Sequence, residues 1–173
     1  MIGLKVFDET DYQAFIDWQQ EATEKDLFSF MGRTFTLPVT KAQLAVYVEK
    51  AKQQALPVEL YTVIEEQTGE KIGHIQVAEI DEVNQSAFLN RIFIRKASRG
   101  KGYGRLLMEE MKRYVFQERG FHRLSLYVLS NNQGAYKMYQ KAGFVEEGVM
   151  RESRIFNGEF LDLHLMSLLS TDH

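Results

Sequence analysis

The chain has 173 residues, a length typical of one domain, and it carries a formal net charge of −3 at pH 7, which disfavours a nucleic-acid-binding surface. Because it contains no cysteine and its four histidines are scattered without paired spacing, we expect no disulfide, no thiol nucleophile and no metal site. No apolar run approaches the ~20 residues that cross a bilayer, and Asp8, Glu9 and Asp11 stand where a signal peptide is basic, so we expect a soluble, cytoplasmic protein without membrane contact.

The first half of the chain alternates between strand and helix patterns. Residues 2–7 alternate as an edge strand does, and residues 10–23 have the apolar spacing of an amphipathic helix. Residues 25–35 are rich in aromatic side chains and fit neither pattern. A second helix is predicted to begin at Thr40, because Gln43 stands at the spacing of a capping box. Three closely spaced strands are then predicted over residues 58–65, 71–80 and 88–95.

The second half predicts a helix over residues 105–118, an alternating run over residues 124–129 and a short helix that ends near Gly143. Asn157-Gly158 then separates two alternating runs, and this dipeptide is the strongest local signal for a hairpin turn. With few prolines and no low-complexity segment, nothing marks a domain boundary. We therefore predict an α/β (α+β) fold in which residues 1–173 form a single domain.

A glycine-rich segment joins the third meander strand to the long helix. Residues 98–104 read Ser-Arg-Gly-Lys-Gly-Tyr-Gly, and glycines at alternate positions let successive N–H groups point into one concavity at a helix N-terminus. Arg99 and Lys101 add positive charge to it. The spacing matches neither a Walker A loop nor the dinucleotide fingerprint, so another phosphate-bearing ligand is indicated. An ordinary glycine-rich turn is the alternative interpretation.

A second pattern follows the alternating run at residues 124–129. It reads Asn132-x-x-Ala135-x-x-x-Tyr139-x-Lys141-x-Gly143-Phe144. Together with the glycine segment, it resembles the paired signatures of the GNAT superfamily of acyl-CoA-dependent N-acyltransferases, over about residues 88–144. The resemblance implies acetyl-CoA as cosubstrate and a single N-acetyltransferase domain. Its fold would be a mixed, mostly antiparallel seven-stranded sheet flanked by about four helices, with a C-terminal hairpin.

The resemblance also assigns cofactor-binding residues. The pyrophosphate of coenzyme A falls on the glycine segment, comprising Arg99, Gly100, Lys101, Gly102, Tyr103 and Gly104. Backbone groups of Ile92, Phe93 and Ile94 would bind the pantetheine arm as an added strand. Asn132 would contact the same arm while capping its helix, although a cap alone is an equal interpretation. Lys141, in the same motif, is counted with them.

Tyr139 occupies the position of the family's general acid. The thiolate that leaves an acyl thioester has an acid pKa of about 8.5, and a phenol with a pKa of about 10 stays protonated at neutral pH and can meet that charge. The alternative is a core tyrosine whose hydroxyl is satisfied elsewhere. Tyr136 stands three residues earlier, and we interpret it as a packing residue.

A general base must accept the proton of the attacking amine, and one acidic residue is a candidate for it. Many members of the family carry a glutamate on the strand that corresponds to residues 88–95, and this strand has no carboxylate; Asn90 stands there instead. Glu79, on the preceding strand, is the nearest candidate. The alternative for Glu79 is a solvated strand end beside Asp81 and Glu82.

These observations predict direct transfer of an acetyl group from acetyl-CoA to a primary amine in a ternary complex. Residues 146–162 are similar to the branch with ribosomal-protein N-terminal and spermidine acetyltransferases, which implies a small cationic amine or a peptide N-terminus as acceptor. A non-catalytic module that senses acyl-CoA is the alternative, because the strand carboxylate is missing. A homodimer built through the C-terminal hairpin or through exposed strand edges is compatible with the sequence.

Overall fold

The computed structural model describes residues 1–172, which form one seven-stranded sheet with five helices. The strands are β1 (Ile2–Val6), β2 (Glu59–Glu65), β3 (Lys71–Asp81), β4 (Ser86–Ile94), β5 (Arg123–Leu129), β6 (Val145–Phe156) and β7 (Glu159–Leu169). The helices are α1 (Tyr12–Gln19), α2 (Glu24–Met31), α3 (Lys41–Lys52), α4 (Tyr103–Lys112) and α5 (Gln133–Lys141). The sheet order is β1-β2-β3-β4-β5-β7-β6, and only β4 and β5 run parallel. The predicted mixed, mostly antiparallel sheet and C-terminal hairpin are confirmed.

Three helical segments differ from the sequence-based expectation. The stretch predicted as a helix over residues 10–23 is a 3-10 turn at Glu9–Asp11 followed by the shorter α1. The helix predicted over residues 105–118 is α4, which continues into a wider π-helical segment at Arg113–Glu118. The aromatic stretch without a pattern contains α2, whose first turn is closed by a capping box between Thr23 and Asp26.

Helices cover both faces of the sheet. Helices α4 and α5 pack on one face, where Leu107, Met108 and Met111 are fully buried in a core shared with Leu124 and Leu126 of β5. Helices α1, α2 and α3 cover the other face around a second cluster that includes Phe15 and Leu44. Each large apolar side chain buried in this way contributes about 1.5–3 kcal/mol, so both layers hold the sheet in place.

The parallel strands β4 and β5 separate halfway along their length. They pair only where residues 86–89 face residues 123–126, after which β4 continues through residues 90–94 and β5 through residues 127–129 without facing each other. The strands therefore diverge into a fork. The edge of β4 that faces this fork has no strand neighbour, and its backbone N–H and C=O groups are open to another partner.

A β-bulge lies at the mouth of the fork. In the pairing of β3 with β4, His74 faces Phe93 and Gln76 faces Asn90, so Arg91 and Ile92 together stand opposite one residue of β3. Arg91 has a φ of +50°, in the left-handed region that side chains rarely adopt. Bulges bend a strand and redirect its side chains. This one sets the course of β4 as it leaves β5.

Candidate active site

A cavity of about 1150 Å³ opens from the fork between β4 and β5. It is lined by the glycine segment, by α5, by α2 with the residues that follow it, and by part of β6. A volume of this order is large enough for a cofactor. In residues 1–172, no group of three or more His, Cys, Asp or Glu residues is arranged to hold a metal ion. No helix among these residues has both the length and the apolarity needed to span a bilayer.

The glycine segment forms an open helix N-terminus at this cavity. Gly100 and Gly102 have φ values of +75° and +83°, which a side chain adopts only with strain. Gly102 caps α4, and no side chain of the described residues caps that helix, which leaves its first N–H groups available for an anion. Arg99 donates from Nε to the carbonyl oxygen of Ile94 at 2.8 Å, which places its charge at the strand exit. Tyr103 also lines the cavity, whereas Lys101 is exposed and does not.

Gly104 has a packing reason that sequence reasoning missed. A Cβ built at this position would lie 2.6 Å from the Sδ atom of Met138. Glycine therefore allows α4 and α5 to approach each other beside the cavity. Gly104 also lines the cavity. The close contact between the two helices therefore explains a glycine at this position as well as a bound ligand does.

The predicted pantetheine-binding residues lie along the fork. Ile92, Phe93 and Ile94 all line the cavity on the unpaired edge of β4. Asn132 both lines the cavity and caps α5, since its Oδ1 accepts a hydrogen bond from the Ala135 amide at 3.3 Å. Lys141 lies at the far end of α5, exposed and outside the cavity.

Tyr139 reaches the same cavity from α5. Its side chain is 6% exposed, and its hydroxyl has no hydrogen-bond partner within residues 1–172. Burial raises the pKa of Tyr139 well above the usual value for a phenol, so the hydroxyl remains protonated over the physiological range. Tyr136 instead donates to Glu146 at 3.3 Å on the surface and lies outside the cavity.

Glu79 is not brought to Tyr139. It is exposed at an irregularity near the end of β3, with a φ of +47°, and it borders a separate cavity of about 240 Å³. That smaller cavity shares Phe88 and Tyr127 with the main one. Among the described residues that line the main cavity, Asp26 is the one carboxylate, and its Oδ2 accepts from the Thr23 amide at 3.1 Å.

Three cavity residues, Arg91, Asn131 and Ser153, were not singled out by sequence reasoning, and Asn90 was noted only for standing where an acid was expected. Buried polar atoms without a hydrogen-bond partner in the described chain line the cavity at Asn90 Oδ1, Arg91 Nε, Asn131 Oδ1 and Ser153 Oγ. Buried polar groups are normally satisfied, so such a group beside a cavity indicates a missing partner. The one sequence signal was the Asn90-Arg91 pair, which interrupts an otherwise apolar strand.

A forked parallel strand pair beside an open helix N-terminus is an arrangement that can hold a phosphate-bearing ligand with an extended arm. The model of the Acetyltransferase (GNAT) family matches residues 12–144, and the chain belongs to that family.

Relatives and solved structures agree with this assignment. Over 111 residues, the chain is 32% identical to a spermidine N(1)-acetyltransferase of Vibrio cholerae, which covers 64% of each protein. It is 29% identical to a putative ribosomal N-acetyltransferase of Bacillus subtilis over 60% of this chain and 56% of that one. The chain thus spans less than two thirds of these curated relatives. The solved spermidine N-acetyltransferase from Vibrio cholerae in complex with CoA and spermine has the same fold, with a TM-score of 0.81 and 24% identity over 99% of this chain and 96% of that one.

Proposed function

We propose that this protein transfers an acetyl group from acetyl-CoA to a primary amine. The observation that carries the proposal is Tyr139, a buried phenol without a hydrogen-bond partner in residues 1–172, in the same cavity as the open N-terminus of α4 and the unpaired edge of β4. Relatives named as N-acetyltransferases support it. We also propose a cytoplasmic location, because the reaction requires acetyl-CoA in the same compartment.

Acetyl-CoA would bind along the fork in an extended form. The N–H groups at Gly102 and the start of α4 would hold the pyrophosphate, and Arg99 would add positive charge there. Residues 92–94 would pair with the amides of the pantetheine arm in the manner of an added strand. Asn132 would contact the arm from α5 without giving up its role as a cap.

The proposed reaction is direct attack in a ternary complex. The neutral amine nitrogen adds to the thioester carbon, the C–N bond forms, and the C–S bond breaks as the tetrahedral intermediate collapses. The electron pair of the broken bond leaves on sulfur as a thiolate. Because the pKa of Tyr139 is raised, its hydroxyl stays protonated and is present to donate a hydrogen bond that stabilises the developing negative charge on sulfur. The raised pKa also makes the phenol a weaker acid, so its proton passes to sulfur only as the C–S bond breaks. The amine's own proton leaves to water, from which Tyr139 is reprotonated.

The acceptor of the amine proton is proposed to be water. An alkylammonium with a pKa near 10 is about 0.1% neutral at pH 7, so a route for the proton is required. Glu79 borders the neighbouring smaller cavity, and we retain it only as an end point of a water route past Phe88 and Tyr127. Exchange of Glu79 for glutamine would then lower the rate at pH 7 far less than loss of Tyr139.

Release of free CoA thiol from acetyl-CoA in the presence of an amine panel tests the function. The panel contains polyamines, amino acids, amino sugars and peptides with free N-termini. Since the chain has no cysteine, it adds no thiol background. Turnover with one class of amine is expected. Tight binding of acetyl-CoA with no thiol release for any amine would support the alternative, a sensor of acyl-CoA.

We also propose that the chain forms homodimers through β6. This edge strand is exposed over most of its length, and it presents Val145, Val149, Met150 and Ile155 to solvent. The outer edge of β6 has no strand neighbour among the described residues, and an open strand edge is a surface on which another chain can pair. A solved structure of the Vibrio cholerae enzyme is described as dodecameric. Sedimentation velocity on the wild type and on Val149→Glu would test the proposal, with a shift to monomer expected in the variant.

A further inference from the structure

Arg91, at the mouth of the fork, is a cation without an anionic partner in residues 1–172. Its Nη2 donates to Thr34 Oγ1 at 2.9 Å, and its Cζ lies 5.8 Å from the centre of the Tyr47 ring. Its Nε is buried and unpartnered, and among the described residues no carboxylate oxygen lies within 4.0 Å of it. A guanidinium held in this way carries a charge that the protein itself leaves uncompensated.

Other cations surround the same end of the cavity. Arg33 donates to the carbonyl oxygen of Ile155 at 3.3 Å, and Arg154 donates to that of Ser153 at 2.9 Å, so neither has a carboxylate partner in the described chain. Asp26 is the one acid that lines the cavity within residues 1–172, and it is engaged in the cap of α2. The local field therefore favours an anion and opposes a polycation.

Arg91 lies far from the glycine segment, at the opposite end of the unpaired edge of β4. The unpaired edge from Asn90 to Ile94 is about 13 Å long at 3.3 Å per residue, and the glycine segment follows its far end. An arm that starts at the glycine segment and runs along this edge ends near Asn90 and Arg91. The reacting carbon would lie there, in the cavity that Tyr139 also lines and away from the phosphates.

We infer that Arg91 binds a carboxylate that the acceptor carries next to its amine, so that the acceptor is a small molecule of the amino-acid type. Asn90 contributes the adjacent Oδ1, which is buried and has no partner among the described residues, and which accepts an N–H of the acceptor amine. The inference rests on the proposed function. It sets this chain apart from its polyamine-acetylating relatives, because the same cations repel a chain of ammonium groups.

Matched acceptors test this subsite. Thiol release is measured with an amino acid and with its carboxamide, which has the same side chain and amine but no negative charge, and with spermidine. We expect kcat/KM for the free acid to exceed that for the amide by about tenfold or more, as for other charge-assisted contacts. Spermidine is expected to be a poorer acceptor than the acid.

Variants of Arg91 assign the preference to its charge. Arg91→Met keeps the length of the side chain, and we expect the acid-to-amide ratio to fall to within about threefold, mainly through KM for the acid. Arg91→Lys should restore part of the ratio. Arg151→Gln removes an exposed arginine of β6 that lies outside the cavity, and it should leave the ratio unchanged. Unchanged acetyl-CoA affinity by calorimetry would show that each variant is folded.

The outcomes separate the two proposals. Equal rates for acid and amide in the wild type, faster turnover of spermidine, or a ratio that survives Arg91→Met would overturn the subsite while acetyl transfer stands. Loss of discrimination between succinyl-CoA and acetyl-CoA in Arg91→Met, with the acid-to-amide ratio intact, would place the carboxylate on the acyl donor and overturn the inference. No thiol release with any amine would overturn the proposed function, and the subsite with it.

Discussion

Burial gives Tyr139 its chemical character, because a buried phenol with a raised pKa keeps its proton and can donate it only to a group that enters the cavity. We expect Tyr139→Phe to lower kcat at least tenfold, since the hydrogen bond to the departing sulfur is lost; removing one such donor costs about 2.7–4 kcal/mol in other enzymes. Acetyl-CoA affinity should be unchanged by calorimetry. Tyr136→Phe, on the same helix but outside the cavity, is the matched control. A loss of less than threefold would contradict the role as general acid.

The backbone of Gly102 makes a second prediction at the scale of a residue. Gly102→Val places a branched side chain at a φ of +83° at the mouth of the phosphate-binding segment, so we expect acetyl-CoA affinity to fall at least tenfold. Gly69, in the turn between β2 and β3, has a similar φ of +73° and equally open surroundings. Gly69→Val should cost similar stability, about 1–2 kcal/mol, without changing the affinity. Equal affinities of the two variants for acetyl-CoA would contradict the assignment of the pyrophosphate site.

At the scale of elements, glycine sets how closely neighbouring elements approach. A Cβ at Gly73 of β3 would lie 2.2 Å from the carbonyl oxygen of Phe93, whereas at Gly104 it would meet the flexible end of Met138. Because a strand backbone cannot move aside as a thioether can, we expect Gly73→Ala to lower the free energy of unfolding by about 2–3 kcal/mol. Gly104→Ala should change it by less than about 1 kcal/mol, since helix propensity offsets the clash. Urea denaturation of both variants measures the difference, and equal losses would contradict it.

The sequence predicted those elements whose signal is local. The glycine segment, the cap at Asn132 and the Asn157-Gly158 turn depend on short-range backbone chemistry, and the structure has an element boundary at each. Helix α2 was missed because its apolar residues face different partners. Leu27 and Met31 belong to the core beneath α1 to α3, whereas Phe28 packs with Leu161 and Leu163 of β7. No single stripe therefore marks the helix.

The surroundings of Arg91 were beyond sequence reasoning for a different reason. They depend on a bulge formed with β3 and on Thr34, which is distant in the chain, and neither leaves a periodic pattern. Glu79 shows the converse error of reasoning along one strand. It is close in sequence to the core of β3, yet an irregularity at the strand end places it at another cavity.

At the scale of the whole molecule, His74 makes the stability depend on pH. Burial, with the nearby charge of Arg91, lowers the pKa of His74 to about 3. Below pH 6.5 the unfolded chain binds a proton at this residue and the folded chain does not, so acid favours unfolding. We expect the free energy of unfolding to fall by about 2 kcal/mol between pH 8 and pH 5 from this group. His74→Asn should remove that part of the slope in urea titrations, whereas His122→Asn, at an exposed position, should retain it. An unchanged slope in His74→Asn would refute the assignment.

The fork leaves the sheet as two blocks, β1 to β4 and β5 to β7, that share only four residue pairs across β4 and β5. A ligand that lies along residues 90–94 supplies the backbone pairing that the polypeptide lacks at this seam. Binding of this ligand would therefore also connect the two blocks of the sheet mechanically. At a ligand concentration of 100 times Kd, the folded state gains about 2.7 kcal/mol. Slowed amide exchange on the β4 side of the seam would report loading of the cosubstrate before any chemistry occurs.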